Sequence, residues 1–181
     1  KNEISRCNNI QMAKKIALNS AYGAIGNQYF RYFEKNQAEA ITMGGQLTIR
    51  WVEKDINKFM NKVLGTENKN YVVASDTDSI YLRLDELVQK TCKNKTPQQI
   101  TDFLDKAAEE KIQKVIDKSF ENLADYVNAY EQKMIMKREA IANKAIWVAK
   151  KRYMMNVFDE EGIRYEYPKL KVMGVEAVKS S

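Results

Sequence analysis

The chain has 181 residues, enough for one domain with a sizeable core and at most a small appendage. Apolar residues make up 44% and charged residues 30%, the balance of an ordinary globular protein, and no apolar run approaches the roughly 18 residues a membrane helix needs. The net charge of +6 suits a polyanionic partner as readily as a merely lysine-rich surface, and the lack of any histidine excludes a His-based triad or His-ligated zinc.

Cys7 and Cys92 form no disulfide framework and read as reduced structural thiols. The chain opens at Lys1 on a polar stretch that runs into helical pattern, and it stops at Lys179-Ser180-Ser181 after an ordered-looking segment. That suggests a piece cut from a longer protein, although a processed protein would look the same.

Residues 8–21 read as a helix ended by Gly23 and Gly26, with Lys15, Asn19 and Tyr22 at i, i+4 and i+7 on one face. The clearest helix spans 38–64, where Ala38, Ile41, Gly45, Ile49, Val52, Ile56, Phe59 and Val63 step by three or four. Gly44-Gly45 within it costs roughly 1 kcal/mol per glycine, so close packing at that point is expected. The period then changes. Residues 71–75 and 79–84 are β-rich and flank Asp76-Thr77-Asp78, a hairpin with an acidic tip. After a polar loop at 91–96, Pro97 opens a helix predicted to run to Tyr126. The last third is strand-like at 133–142, 146–149, 153–158 and 163–167, with a turn at 159–162 and Pro168 as the stop. The pattern predicts an α+β fold, an antiparallel sheet packed against two long helices.

Two aspartates one residue apart repel each other, and in a tight turn their side chains can diverge. Hard oxygen donors of this kind suit Mg²⁺, which takes a few carboxylates together with substrate phosphates. A plain solvated turn is the alternative. Buried flanking strands would make the tip rigid, which favours the metal reading. The face bearing Lys15, Asn19 and Tyr22 offers charge to a phosphate and a flat ring to a base or sugar, or it is an ordinary surface helix. Lys150-Lys151-Arg152-Tyr153 sets three cations and an aromatic at the entry to a strand. Those are the ingredients of a contact that tracks a nucleic-acid backbone, or of a solvated edge strand blunted by lysine. Lys169-Leu170-Lys171 ahead of Gly174 and Glu176 carries little by itself.

In chain order these elements stop being separable. Lys15-x-x-x-Asn19-Ser20-x-Tyr22-Gly23 resembles the fingers-helix motif of family B DNA polymerases, and Asp76-Thr77-Asp78-Ser79 resembles their palm hairpin. Lys150-Lys151-Arg152-Tyr153 is similar to the primer-binding K-K-x-Y element, and Lys171-x-x-Gly174-x-Glu176 to the element at the palm–thumb border. Segments such as Arg138-Glu139-Ala140-Ile141 look closest to replicative polymerases of large tailed phages.

The resemblance implies that residues 1–26 end the fingers, 27–168 form most of the palm, and 169–181 begin the thumb. It implies that Lys15 contacts the phosphates of the incoming nucleotide and that Asn19 and Tyr22 shape the pocket for the nascent pair. Asp78 would be a direct metal ligand and Asp76 a supporting carboxylate, with Glu139 as a further candidate ligand. Lys151 would support that arrangement, and Lys150, Lys151, Arg152 and Tyr153 would hold the primer end, with Lys171 a further DNA contact. The cofactor implied is a pair of Mg²⁺ ions. The implied partners are primer–template DNA, deoxynucleotides and the rest of the polymerase, with a sliding clamp reached through other regions and no membrane. The place of work would be the cytoplasm of an infected bacterium. The chain contains no D-x-x-S-L-Y-P-S motif, the family's other source of a metal-binding aspartate, and no recognisable exonuclease motifs. By itself it is therefore expected to be inactive. A non-catalytic nucleic-acid-binding module is the main rival reading, and a reverse transcriptase or RNA polymerase palm is the second.

Overall fold

The computed structural model describes residues 2–76 and 78–175. Thr77 of the acidic tip, Glu176 of the last motif and Lys179-Ser180-Ser181 lie outside the described residues. The chain divides after Leu47 into two compact units.

The first unit holds helix α1 (Asn2–Ile25) and the start of α2 (Lys35–Leu64). Helix α1 is longer than its periodicity predicts, and no residue on it is buried. Gly23 lies within its last turn, and Gly26 follows its end. The connection is held by backbone bonds, the amide of Asn27 donating to the carbonyl of Ala24 (2.9 Å) and that of Glu34 to Ile25 (3.0 Å). A side chain on Gly26 would sit 3.6 Å from Cβ of Ala38, so a small residue suits the bend. The expectation of close packing at Gly44-Gly45 is not met: a Cβ on either meets nothing within 4 Å.

The second unit is built on the later turns of α2. Ile49, Val52, Ile56, Met60 and Leu64 are buried at helical spacing, and Tyr71, Ile112, Ile116 and Phe120 close the core around the last four. Helix α4 (Pro97–Ala107) opens with a capping box in which Thr96 and Gln99 satisfy each other's backbone amides. The helix predicted for 97–126 is not continuous α-helix. A π turn at Ala108–Ile112 separates α4 from α5 (Gln113–Tyr126). Leu104, Ala108, Ile112, Ile116 and Phe120 step by four across this turn, so the apolar spacing gives no sign of it. A short helix α3 (Asp85–Thr91), unforeseen in the sequence, starts on Asp85 and Glu86.

The strands form two sheets rather than one. Strands β1 (Val72–Asp76) and β2 (Ser79–Leu82) make a hairpin, and β3 (Ala140–Ala149), β4 (Arg152–Glu160) and β5 (Ile163–Met173) make an antiparallel meander. Residues 133–139, predicted as strand, precede β3 without regular structure, and β3 then continues through Asn143 and Lys144 with shifts in register. Pro168 does not end β5. The strand is at the edge of its sheet, and the pairing with β4 is irregular between Val157 and Asp159, so a residue without an amide proton is tolerated there. Asp159, fully buried on β4, is ion-paired with Arg138 and with Arg164 (3.1 Å). Both arginines also reach Asp105 of α4, at 2.8 and 2.7 Å, which ties helix to sheet. No helix among the described residues is long and apolar enough to cross a membrane.

Candidate functional site

The acidic hairpin is launched by two asparagines one turn apart on α2. The Oδ1 of Asn57 accepts the amide of Tyr71 (2.7 Å), while Asn61 donates to the carbonyl of Lys69 (2.7 Å) and accepts its amide (3.0 Å). Tyr71 is fully buried, with its hydroxyl 2.7 Å from Oγ1 of Thr66 and donating to Glu86 at 3.3 Å. Lys69 also pairs with Glu86, and its hydrogen bond is the main reason that carboxyl is held below its ordinary value. The loop into β1 is thus fixed at backbone level.

Side chains alternate along β2. Ile80 and Leu82 pack on the helical core, so Tyr81 between them faces the other way. There its ring stands edge-on to Trp147 of β3 (5.2 Å, 71°) and to Tyr153 of β4 (5.7 Å, 60°). Burial, and then a hydrogen bond with Tyr81, push the Tyr153 phenol up to about 12, so it stays neutral.

The two-residue turn Lys150-Lys151 joins β3 to β4, so the two lysines stand at the entry to a strand, as their sequence predicts. Lys151 takes the left-handed conformation (φ 61°) and brings its Nζ to 3.8 Å from Asp76. Gly174, also left-handed (φ 62°), approaches so closely that a Cβ there would lie 2.5 Å from the carbonyl oxygen of Lys151. Asp76, Tyr81, Trp147, Lys150, Lys151 and Tyr153 together line a cleft of about 280 Å³. The two aspartates differ in setting: Asp76 is partly buried beside Lys151, whereas Asp78 is exposed in the turn.

The structure brings the acidic tip, the Lys150–Tyr153 segment and Gly174 together. Lys171 is held between Glu139 (2.8 Å) and Glu160 (2.9 Å), and both it and Glu139 lie within electrostatic reach of Tyr153. Burial opposes the charge on that amine, but hydrogen bonds to the two carboxylates outweigh it and raise its pKa. Glu139 is thus engaged with a lysine, and among the described residues no three carboxylate or thiol groups converge as a metal site. In the first unit, Lys15, Asn19 and Tyr22 share an exposed face of α1, and the Tyr22 hydroxyl lies 2.6 Å from Oγ1 of Thr42. Sequence reasoning missed Tyr81, Trp147, Asn57 and Asn61. Only Tyr81 left a signal, as the odd member between two core positions of a strand.

Fold and site define an α+β protein whose cleft sets a carboxylate of one hairpin against the cations of another. The family model for DNA polymerase family B matches residues 1–180, and the chain belongs to that family. It is 42% identical over 181 residues to a protein of Escherichia phage RB69 named DNA-directed DNA polymerase, an alignment covering 94% of this chain and 20% of that relative. A protein of the same name from Enterobacteria phage T4 is 40% identical over 184 residues, covering 96% of this chain and 20% of that protein. The chain thus spans about a fifth of the length of these curated relatives.

Proposed function

We propose that this chain carries part of the catalytic centre of a DNA-directed DNA polymerase, with residues 1–26 ending the fingers, 27–168 forming most of the palm and 169–181 opening the thumb. The observation that supports this best is the cleft that Asp76 of the acidic tip shares with Lys150, Lys151 and Tyr153. An acidic tip facing cations suits chemistry on a polyanion better than simple binding, for which lysine alone would serve. Two carboxylates on one short turn are hard donors of the kind Mg²⁺ accepts, and Asp78 is the exposed one, so the residues present fit the metal. Asp78 would hold it, together with an aspartate contributed from outside this chain. When bound, a metal pair supplies positive charge at the attacking and leaving oxygens of an in-line displacement.

The rest is positioning. Lys15 offers its charge to the triphosphate of the incoming deoxynucleotide, and Asn19 and Tyr22 border the nascent base pair, Tyr22 steadied by Thr42. Lys150 and Arg152, both exposed, take primer–template phosphates, and Tyr153 presents a neutral phenol to the primer end. Lys171 supports this segment from β5 through its carboxylate pairs. Lys151 partly neutralises Asp76 and keeps it behind Asp78. The 3′-hydroxyl of the primer then attacks the α-phosphate and pyrophosphate leaves. The remaining partners would be the rest of the polymerase and a sliding clamp reached through other regions, in the cytoplasm of an infected bacterium. Primer extension with Mg²⁺ and four deoxynucleotides tests the reading. The polymerase carrying this segment should extend primers as the template directs, and this chain by itself, which has no D-x-x-S-L-Y-P-S motif, should not. A polymerase that binds primer–template but never extends it would favour a non-catalytic binding module instead.

A further inference from the structure

Among the described residues the two sheets share no ladder of backbone hydrogen bonds, and the β1–β2 and β3–β4 hairpins meet at the cleft through side chains. Two contacts between described residues can be named there. One is the ion pair of Lys151 with Asp76, 3.8 Å long with the lysine two-thirds exposed, a geometry that restrains little. The other is the stack in which the Tyr81 ring stands edge-on to both Trp147 and Tyr153. Trp147 and Tyr153 are direct partners across the β3–β4 ladder, so their rings form one surface. Tyr81 is fixed from behind, because Ile80 and Leu82 on either side of it are seated on the helical core.

We propose that Tyr81 and Trp147 are positioning residues for nucleotidyl transfer: they set the Tyr153 ring and the Lys150-Lys151 turn at a fixed distance from the aspartate tip. This rests on the polymerase reading above. Neither residue has to touch substrate. Each hairpin keeps its own ladder without the stack, so losing Tyr81 uncouples the hairpins while leaving both folded. A displacement of about 1 Å in reacting groups can cost up to a hundredfold in rate, which sets the scale of the effect.

The test uses the polymerase carrying this segment. Tyr81→Ala and Trp147→Ala should each lower kcat for single-nucleotide addition by about ten- to a hundredfold, with KM for the deoxynucleotide nearly unchanged. Trp147→Phe, which keeps an aromatic face, should recover most of the rate. In a Tyr153→Ala background, Tyr81→Ala should cost little more, because the group it positions is gone; a merely structural role would lower melting temperature equally in both backgrounds and multiply the losses. An unchanged kcat, or fully multiplicative losses, overturns the proposal. Tryptophan emission, taken as the difference from Trp147→Phe, should shift to the red in Tyr81→Ala whether or not primers are extended, and no shift overturns the packing itself. If unmodified enzyme fails to extend any primer, the polymerase reading falls, and the emission shift still decides the contact.

Discussion

Gly174→Ala is a small change whose cost can be built up from two separate terms. Gly174 has φ 62°, a left-handed conformation that costs a residue with a Cβ about 1–2 kcal/mol. Its Cβ would also meet the carbonyl oxygen of Lys151 at 2.5 Å and Cγ of Arg152 at 3.2 Å. The arginine can move, but the oxygen is backbone and no rotamer relieves it. Overpacking of that kind adds about 1–3 kcal/mol, for roughly 2–5 kcal/mol in all. Gly65 is the internal control: φ is 64°, and a Cβ there meets nothing within 4 Å, so Gly65→Ala should cost only the first 1–2 kcal/mol or so. Relief at Gly174 would come from the Lys150-Lys151 turn moving away, which draws Lys151 off Asp76. Urea unfolding of the two variants gives the stability difference, and primer extension by the polymerase carrying Gly174→Ala should show the larger functional loss. Equal destabilisation by the two substitutions, with extension intact in both, would refute the close approach of Gly174 to the turn.

Asp159→Ala removes the buried carboxylate from a cluster of two arginines and Asp105, and should cost about 3–5 kcal/mol in urea unfolding; a loss below about 1 kcal/mol would mean the arginines find water instead. The Glu160 carboxyl is held below its ordinary value of 4.5, chiefly by the hydrogen bond from Lys171 and then by that from Lys169. A depressed carboxylate stabilises above that ordinary value, and the stability is lost as pH falls through the lower folded value. Glu160→Gln should therefore flatten the drop in melting temperature between about pH 5 and pH 3, and an unaltered acid limb would contradict the pairing. Replacing Lys150 and Lys151 with alanine should reduce the salt dependence of primer–template binding by about 0.9 in log–log slope for each phosphate no longer neutralised; an unchanged slope would make them ordinary surface lysines.

Much of this fold was legible because its signals are local. The spacing along α2 marks the core face, the β-rich runs around Asp76 mark the hairpin, and Thr96-Pro97 marks a helix start. The π turn at Ala108–Ile112 was not legible, because Leu104, Ala108, Ile112 and Ile116 keep a regular step of four across it. What else escaped depends on partners distant in sequence. Pro168 reads as a stop until β5 is known to be an edge strand with irregular pairing. Asn57 and Asn61 read as the polar side of a helix, and only the returning loop at 69–71 gives them work. The four motifs stand in family order along the chain, yet the approach of Gly174 to Lys151 is three-dimensional and leaves no trace in spacing.

The central claim is that Asp78 and Asp76, one residue apart, do different things. Asp78 is the exposed carboxylate and is assigned to the metal, whereas Asp76 is partly buried against Lys151 and is assigned a supporting role. Removing a direct ligand takes a formal charge out of the metal cage, while removing a supporting group typically costs about 10–100-fold. The measurement is primer extension by the polymerase carrying Asp78→Ala or Asp76→Ala, titrated with Mg²⁺ and then with Mn²⁺. Asp78→Ala should abolish extension, with no recovery as Mg²⁺ is raised, while Asp76→Ala should retain measurable activity that Mn²⁺ partly restores. An inactive Asp76→Ala beside an impaired but active Asp78→Ala would contradict the assignment.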